Sequence, residues 1–117
     1  MAPSNPRLRL PDTIVAGETF EVRALVTHVM ETGNRKDAKG ERIPRNIIHT
    51  FTAHFEDTLV FKGEFGPGIS ANPFLAFYLK VPGPGELRVT WEADDGATAV
   101  ERYAIEVSDP PPPEENP

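Results

Sequence analysis

Residues Glu86–Val107, ELRVTWEADDGATAVERYAIEV, decide the fold. Leu87, Val89, Trp91 and Ala93 alternate with polar residues, the period of a strand with one face in a core. Asp94-Asp95-Gly96 supplies the Asp-Gly pair of a tight hairpin turn, because Gly accepts a positive φ. The chain then returns over Ala97–Val107 with Ala99, Tyr103, Ile105 and Val107 on one face.

The same period recurs outward from this hairpin. Thr19–Thr27 sets Phe20, Val22, Ala24 and Val26 against Glu21, Arg23 and Thr27. Ile47–Glu56 places Ile47, Phe51, Ala53 and Phe55 on one face and Ile48, Thr50, Thr52 and His54 on the other. Glu56-Asp57 turns into Thr58–Phe65, where Leu59, Phe61 and Phe65 alternate with Val60, Lys62 and Glu64, and Gly66-Pro67-Gly68 breaks the pattern. Arg7–Leu10 reads as a short edge strand closed by Pro11. Residues 1–6 read as a flexible arm, 7–108 as one domain, and 109–117 (DPPPPEENP) as a polyproline-biased, disordered acidic tail.

Phe74–Val81, FLAFYLKV, departs from simple alternation. Leu75, Phe77 and Leu79 form one apolar face and Phe74, Ala76 and Tyr78 a second. Such a strand is covered twice, by the core and by something else, either another chain or a segment of this one. About seven strands, with turns every 8–12 residues and no helical period, predict an all-β, immunoglobulin-like (E-set type) antiparallel β-sandwich. Trp91 reads as a core anchor, which argues against a carbohydrate-binding face of displayed aromatics.

Between the second and third strands lies His28–His49, HVMETGNRKDAKGERIPRNIIH, polar and far longer than the roughly two to six residues that join most elements. Gly33 frees its backbone, Lys39-Gly40 suits a hairpin tip, and Pro44 forces Ile43 into extended geometry. A projecting β-hairpin arm is expected, with Arg35-Lys36 on one leg and Arg42 on the other. From Glu31 to Arg45 five bases (Arg35, Lys36, Lys39, Arg42, Arg45) face three acids (Glu31, Asp37, Glu41), a local +2 in a chain of net −6, so the remainder carries −8. An acidic body argues against nucleic acid as a partner, whereas a basic projection can orient an acidic protein.

The 117 residues hold no Cys, which excludes disulfides, thiol chemistry and cysteine-ligated metal. No apolar run approaches the roughly 18–20 residues of a membrane helix. The N-terminal segment lacks the apolar core of a secretory signal. Neither a zinc-protease motif, nor a phosphate loop, nor a nucleophile elbow is present, so no enzymatic activity is expected. An alternative reading takes His28 and Met30, which share a face two residues apart, as copper ligands in a periplasmic sandwich, supplemented by His49 if the loop folds back.

His28-x-Met-Glu-Thr-Gly-x-Arg-Lys-Asp37, Ile43-Pro-Arg45 with Ile47-Ile48, Ala71-Asn-Pro-Phe-Leu-Ala-Phe-Tyr78 and Trp91-x-x-Asp-Asp-Gly96 together resemble the SoxZ family, over roughly Arg7 to Val107. The resemblance implies a non-catalytic subunit without cofactor. It would pair, as a heterodimer or higher hetero-oligomer, with a SoxY-like subunit whose C-terminal Gly-Gly-Cys-Gly-Gly arm carries the sulfur intermediates of thiosulfate oxidation. Pathway enzymes would dock transiently, in the periplasm, which the chain would reach with a signal-bearing partner. The partner-binding residues expected are Met30, Arg35, Lys36, Arg42, Arg45, Asn72, Phe74 and Tyr78. The acidic tail falls outside the resemblance. Some relatives carry a Cys able to cross-link to the partner, and here any complex is non-covalent.

Overall fold

Alternation with period two obliges each strand to bury one face, and the chain does so between two sheets. A computed structural model describes residues 2–66, 68, 69 and 71–108; the expectations for Pro67 and for the 109–117 tail fall outside the described residues. Seven strands follow in order: β1 (Ser4–Arg9), β2 (Thr19–Thr27), β3 (Ile48–Phe55), β4 (Thr58–Glu64), β5 (Phe74–Lys80), β6 (Gly85–Ala93) and β7 (Thr98–Ile105). They form a three-stranded sheet, β1-β2-β5, and a four-stranded sheet, β4-β3-β6-β7, all pairs antiparallel. This is the expected sandwich, with the predicted strands in place.

Three local differences have physical causes. β1 starts at Ser4 rather than Arg7, because a bulge between Ser4 and Arg7, with Asn5 at φ 49°, lets pairing run past Pro6. Ile48, expected on the outer face of β3, is fully buried beside Ile47. The ladder steps from Ile48↔Ala93 to Thr50↔Glu92, so His49 is the extra residue of a bulge, and both isoleucines turn inward. Tyr103, expected inside, faces the core side but is exposed on the edge strand β7. Leu59, also expected inside, is exposed because the β3–β4 ladder slips between Ala53↔Phe61 and His54↔Leu59, which sets Leu59 opposite the outward His54.

The core is aromatic at its centre. Phe51 of β3 meets the Trp91 ring edge-on at 5.2 Å, and lies 5.8 Å from Phe77 and 6.1 Å from Phe61. Phe61 stacks on Phe77 at 4.8 Å with 12° between planes. Phe77 belongs to the three-stranded sheet and the other three rings to the four-stranded sheet, so this cluster is the joint between layers. Val22, Val26, Val81, Leu87 and Val89 fill the space around it, each fully buried.

Phe51→Ala, which removes the ring common to three of these contacts, is expected to cost about 3–5 kcal/mol. A domain of this kind holds only about 5–15 kcal/mol. Urea unfolding followed by Trp91 fluorescence measures the loss directly.

Candidate functional site

The His28–His49 segment is a hairpin, as its Gly and Pro placement predicts. Isolated bridges pair Glu31 with Asn46 at its root and Lys36 with Arg42 near its tip. Glu31 and Asn46 exchange both backbone bonds (2.9 and 2.7 Å), and Ile43 N–H donates to the Arg35 carbonyl at 2.8 Å. The tip is closed by Asp37, whose Oδ1 accepts the N–H groups of Lys39 (2.9 Å) and Glu41 (3.0 Å). Gly40 N–H bonds the Asp37 carbonyl at 3.0 Å, with Gly40 at φ 80°.

The root is fastened at two points. On the outgoing side His28 is buried, and Asn72 grips its backbone: Asn72 Oδ1 accepts His28 N–H at 3.0 Å and Asn72 N–H donates to the His28 carbonyl at 2.7 Å. His28 Nδ1 accepts Met30 N–H at 3.0 Å, and Met30 Sδ accepts Ile48 N–H at 3.3 Å. Met30 reaches inward because its backbone takes the left-handed region, φ 54°. Returning, Arg45 makes a fork to Asp94 (Nε–Oδ2 2.8 Å, Nη2–Oδ1 3.1 Å), while Asp94 Oδ2 also accepts Ile47 N–H at 3.2 Å and Asp94 N–H donates to the Ile47 carbonyl at 2.9 Å. The Arg45 guanidinium, with the Ile47 amide, holds the Asp94 carboxyl below its ordinary range. Gly33, at φ 85°, lies where an added Cβ would come 3.1 Å from Arg45 Cβ, so the two legs touch there.

The expected partner-binding residues therefore divide. Met30 is corrected: it is interior, 4% exposed, with its sulfur on a backbone amide rather than on a surface. Arg45 is tied to Asp94, and Arg35 to Glu31 at 2.6 Å, which lowers the Glu31 carboxyl through that hydrogen bond. Asn72 is exposed, but its amide oxygen and backbone N–H both hold His28. Lys36 and Arg42 are exposed and make no ion pair among the described residues, and Lys39 at the tip joins them. The donors of the copper alternative, His28 Nδ1 and Met30 Sδ, each accept a backbone N–H, while His49 Nδ1 lies 2.6 Å from Thr50 Oγ1. Among the described residues no group of three or more His, Asp or Glu side chains is placed to hold a metal.

A second surface begins beside the arm. β5 is an edge strand of the three-stranded sheet, and its Leu75, Phe77 and Leu79 face inward. Phe74 and Tyr78 face outward at 55% and 71% exposure, with Ala76 between them. Nothing among the described residues covers them. Among the described residues the Tyr78 hydroxyl makes one side-chain contact, 3.5 Å to Glu21.

The family model described as sulphur oxidation protein SoxZ matches residues 8–104. No curated protein matches the chain. Among solved structures, superoxide reductase (neelaredoxin) from Ignicoccus hospitalis is similar at TM-score 0.67 and 21% identity, over 91% of this chain and 82% of that one. The superoxide reductase from Archaeoglobus fulgidus gives TM-score 0.56 at 15% identity, over 88% of each chain. The sulfur carrier protein SoxY from Chlorobium limicola gives TM-score 0.60 at 11% identity, over 88% of this chain and 78% of that one. At these identities the likeness is one of fold.

The Asp94 clamp predicts how acid acts on the arm. An Asp whose pKa is lowered by folding stabilises above its unfolded value, near 3.8, and that contribution fades as pH falls through the lower folded value. Thermal unfolding between pH 7 and pH 2 should show this acid loss in the wild type and a smaller one in Asp94→Asn. At neutral pH that variant should be less stable by about 1 kcal/mol, the scale of a half-exposed ion pair.

Proposed function

This chain belongs to the SoxZ family of sulphur oxidation proteins, and from that premise we propose that it is the non-catalytic subunit of a periplasmic sulfur-carrier complex. It pairs with a SoxY-like subunit that bears the carrier Cys and helps present the sulfur adduct to the enzymes of thiosulfate oxidation. With no Cys of its own, the chain has no thiol on which to carry sulfur, so the covalent chemistry belongs to the partner. The sulfur carrier SoxY from Chlorobium limicola is similar to this chain in fold, so the proposed complex would join two sandwiches.

The observation that carries this reading is β5. An edge strand with Phe77 and Leu79 in the core and Phe74 and Tyr78 in solvent has apolar surface on both sides, as expected of a strand completed by a second chain. Aromatic side chains at the centre of such a patch are the residue types that dominate binding energy. The arm has the opposite character. Its tip offers Lys36, Lys39 and Arg42 on a rigid hairpin, a charged surface suited to brief encounters with acidic pathway enzymes rather than to a permanent interface.

Phe74→Glu and Tyr78→Glu should each leave the domain folded, with the wild-type circular dichroism spectrum, and weaken pairing with the SoxY-like subunit by about 100-fold or more, the range of a central interface residue. Unfolding of either variant would show that this face is held internally. Export supplies an independent check. In cells lacking the SoxY-like subunit, fractionation should find this chain in the cytoplasm, and restoring the subunit should return it to the periplasm.

A further inference from the structure

The two sheets present outer faces of very different electrostatic character. On the four-stranded sheet the outward charges cancel: Lys62, Arg88 and Arg102 against Glu64, Glu86 and Glu92. They are also locally matched, Arg102 to Glu86 at 3.4 Å, Lys62 to Glu64 at 4.0 Å, and Arg88 to Asp57 of the neighbouring turn at 3.9 Å. That face needs no counter-charge.

The three-stranded sheet differs. The register Arg7↔Leu25↔Phe74, Arg9↔Arg23↔Ala76, Glu21↔Tyr78 and Thr19↔Lys80 puts all of these side chains on its outer face, since Ala24, Val22 and Phe77 point inward. Four cations (Arg7, Arg9, Arg23, Lys80) thus face one anion, Glu21, a balance of +3 on a chain of net −6. Glu21 is committed to Arg23 at 2.6 Å. Arg9 stands directly opposite Arg23, and like charges so placed repel. Arg7, opposite Leu25 in the register, has a buried Nε that meets no acceptor among the described residues. Guanidinium groups left in this state are matched by carboxylates, which they bind in a planar fork.

We infer that this face is an arginine-framed docking site for a carboxylate-bearing face of the carrier subunit, in which Phe74 and Tyr78 supply the apolar centre and Arg7, Arg9 and Arg23 the charged flank. The inference rests on the reading that β5 pairs with that subunit, and it adds the chemistry of recognition. A second copy of this chain does not fit, because +3 would meet +3. An acidic partner removes the Arg9–Arg23 repulsion on docking and leaves the apolar strip to be buried.

The test is association kinetics between the intact chain and the SoxY-like subunit by surface plasmon resonance, at several salt concentrations. Three variants are compared: Arg7→Glu/Arg9→Glu, Phe74→Glu, and Lys36→Glu/Arg42→Glu on the arm. The arginine reversal should slow association by about tenfold or more at low ionic strength, with the deficit shrinking as salt screens the charges. The milder Arg9→Gln should fall between, and the arm reversal should leave pairing unchanged. If the arginine reversal pairs at the wild-type rate while Phe74→Glu does not pair, the acidic-face inference is overturned and the pairing reading stands. If neither change weakens pairing, both fall. Self-association of the isolated chain in sedimentation, lost with Phe74→Glu, would assign the face to a second copy instead.

Discussion

Everything on the proposed partner side follows from one side chain pointing inward. Phe77 stacks on Phe61 and packs against Phe51, joining the two sheets at the centre of the core. Because a strand alternates with period two, an inward Phe77 fixes Phe74, Ala76, Tyr78 and Lys80 on the opposite face. A slip of one residue would bury Phe74 and Tyr78 but expel Phe77 and Leu79, exchanging one apolar set for another. The aromatic cluster removes that ambiguity, since Phe77 meets Phe51 of β3 and Phe61 of β4, and Phe51 in turn meets Trp91 of β6. The exposed pair is thus a consequence of the core, and the core would be poorer without it.

The arm is governed by a different economy. A polar segment of this length has little apolar surface to bury, so its order comes from backbone bonds satisfied at a few points. Asn72 holds the outgoing strand, Asp94 the returning one, and Met30 plugs the root from within. Asp37 closes the tip. Residues whose types suggest recognition (Met30, Arg45, Asn72) are in this way spent on positioning, and the hairpin they hold carries Lys36, Lys39 and Arg42 outward. A rigid hairpin loses less entropy on contact than a floppy loop carrying the same charges.

The sandwich as a whole separates its tasks by face. The four-stranded sheet is electrically self-satisfied and has the character of a solvent surface. The three-stranded sheet pairs an apolar edge with arginines that outnumber its one acid among the described residues, and the arm extends beyond both. In the proposed complex, the sulfur chemistry sits on the partner, and this chain contributes shape and charge. A fold shared with the sulfur carrier SoxY and with superoxide reductases is compatible with many functions, so function in this chain follows from these surfaces and from family membership.

Much of this was legible without coordinates. Alternation in Thr19–Thr27, Phe74–Val81 and Glu86–Ala93, with Asp-Gly and Pro-Gly turns between, determined strands, faces and the sandwich, because a period of two leaves a half-buried strand no other arrangement. The hairpin arm was likewise written in Gly33, Lys39-Gly40 and Pro44. What local pattern could not contain was decided by contacts between distant residues. The bulge at His49 that turns Ile48 inward depends on the partner strand β6. The burial of Met30 depends on Ile48 N–H, 18 residues away, and the clamp of Arg45 on Asp94 spans 49 residues. The register that sets Arg9 opposite Arg23 arises only when β1 pairs with β2. Sequence determined which residues could face a core or a partner; tertiary structure decided which polar groups were used up inside the chain, because a hydrogen bond or ion pair needs both of its ends in place.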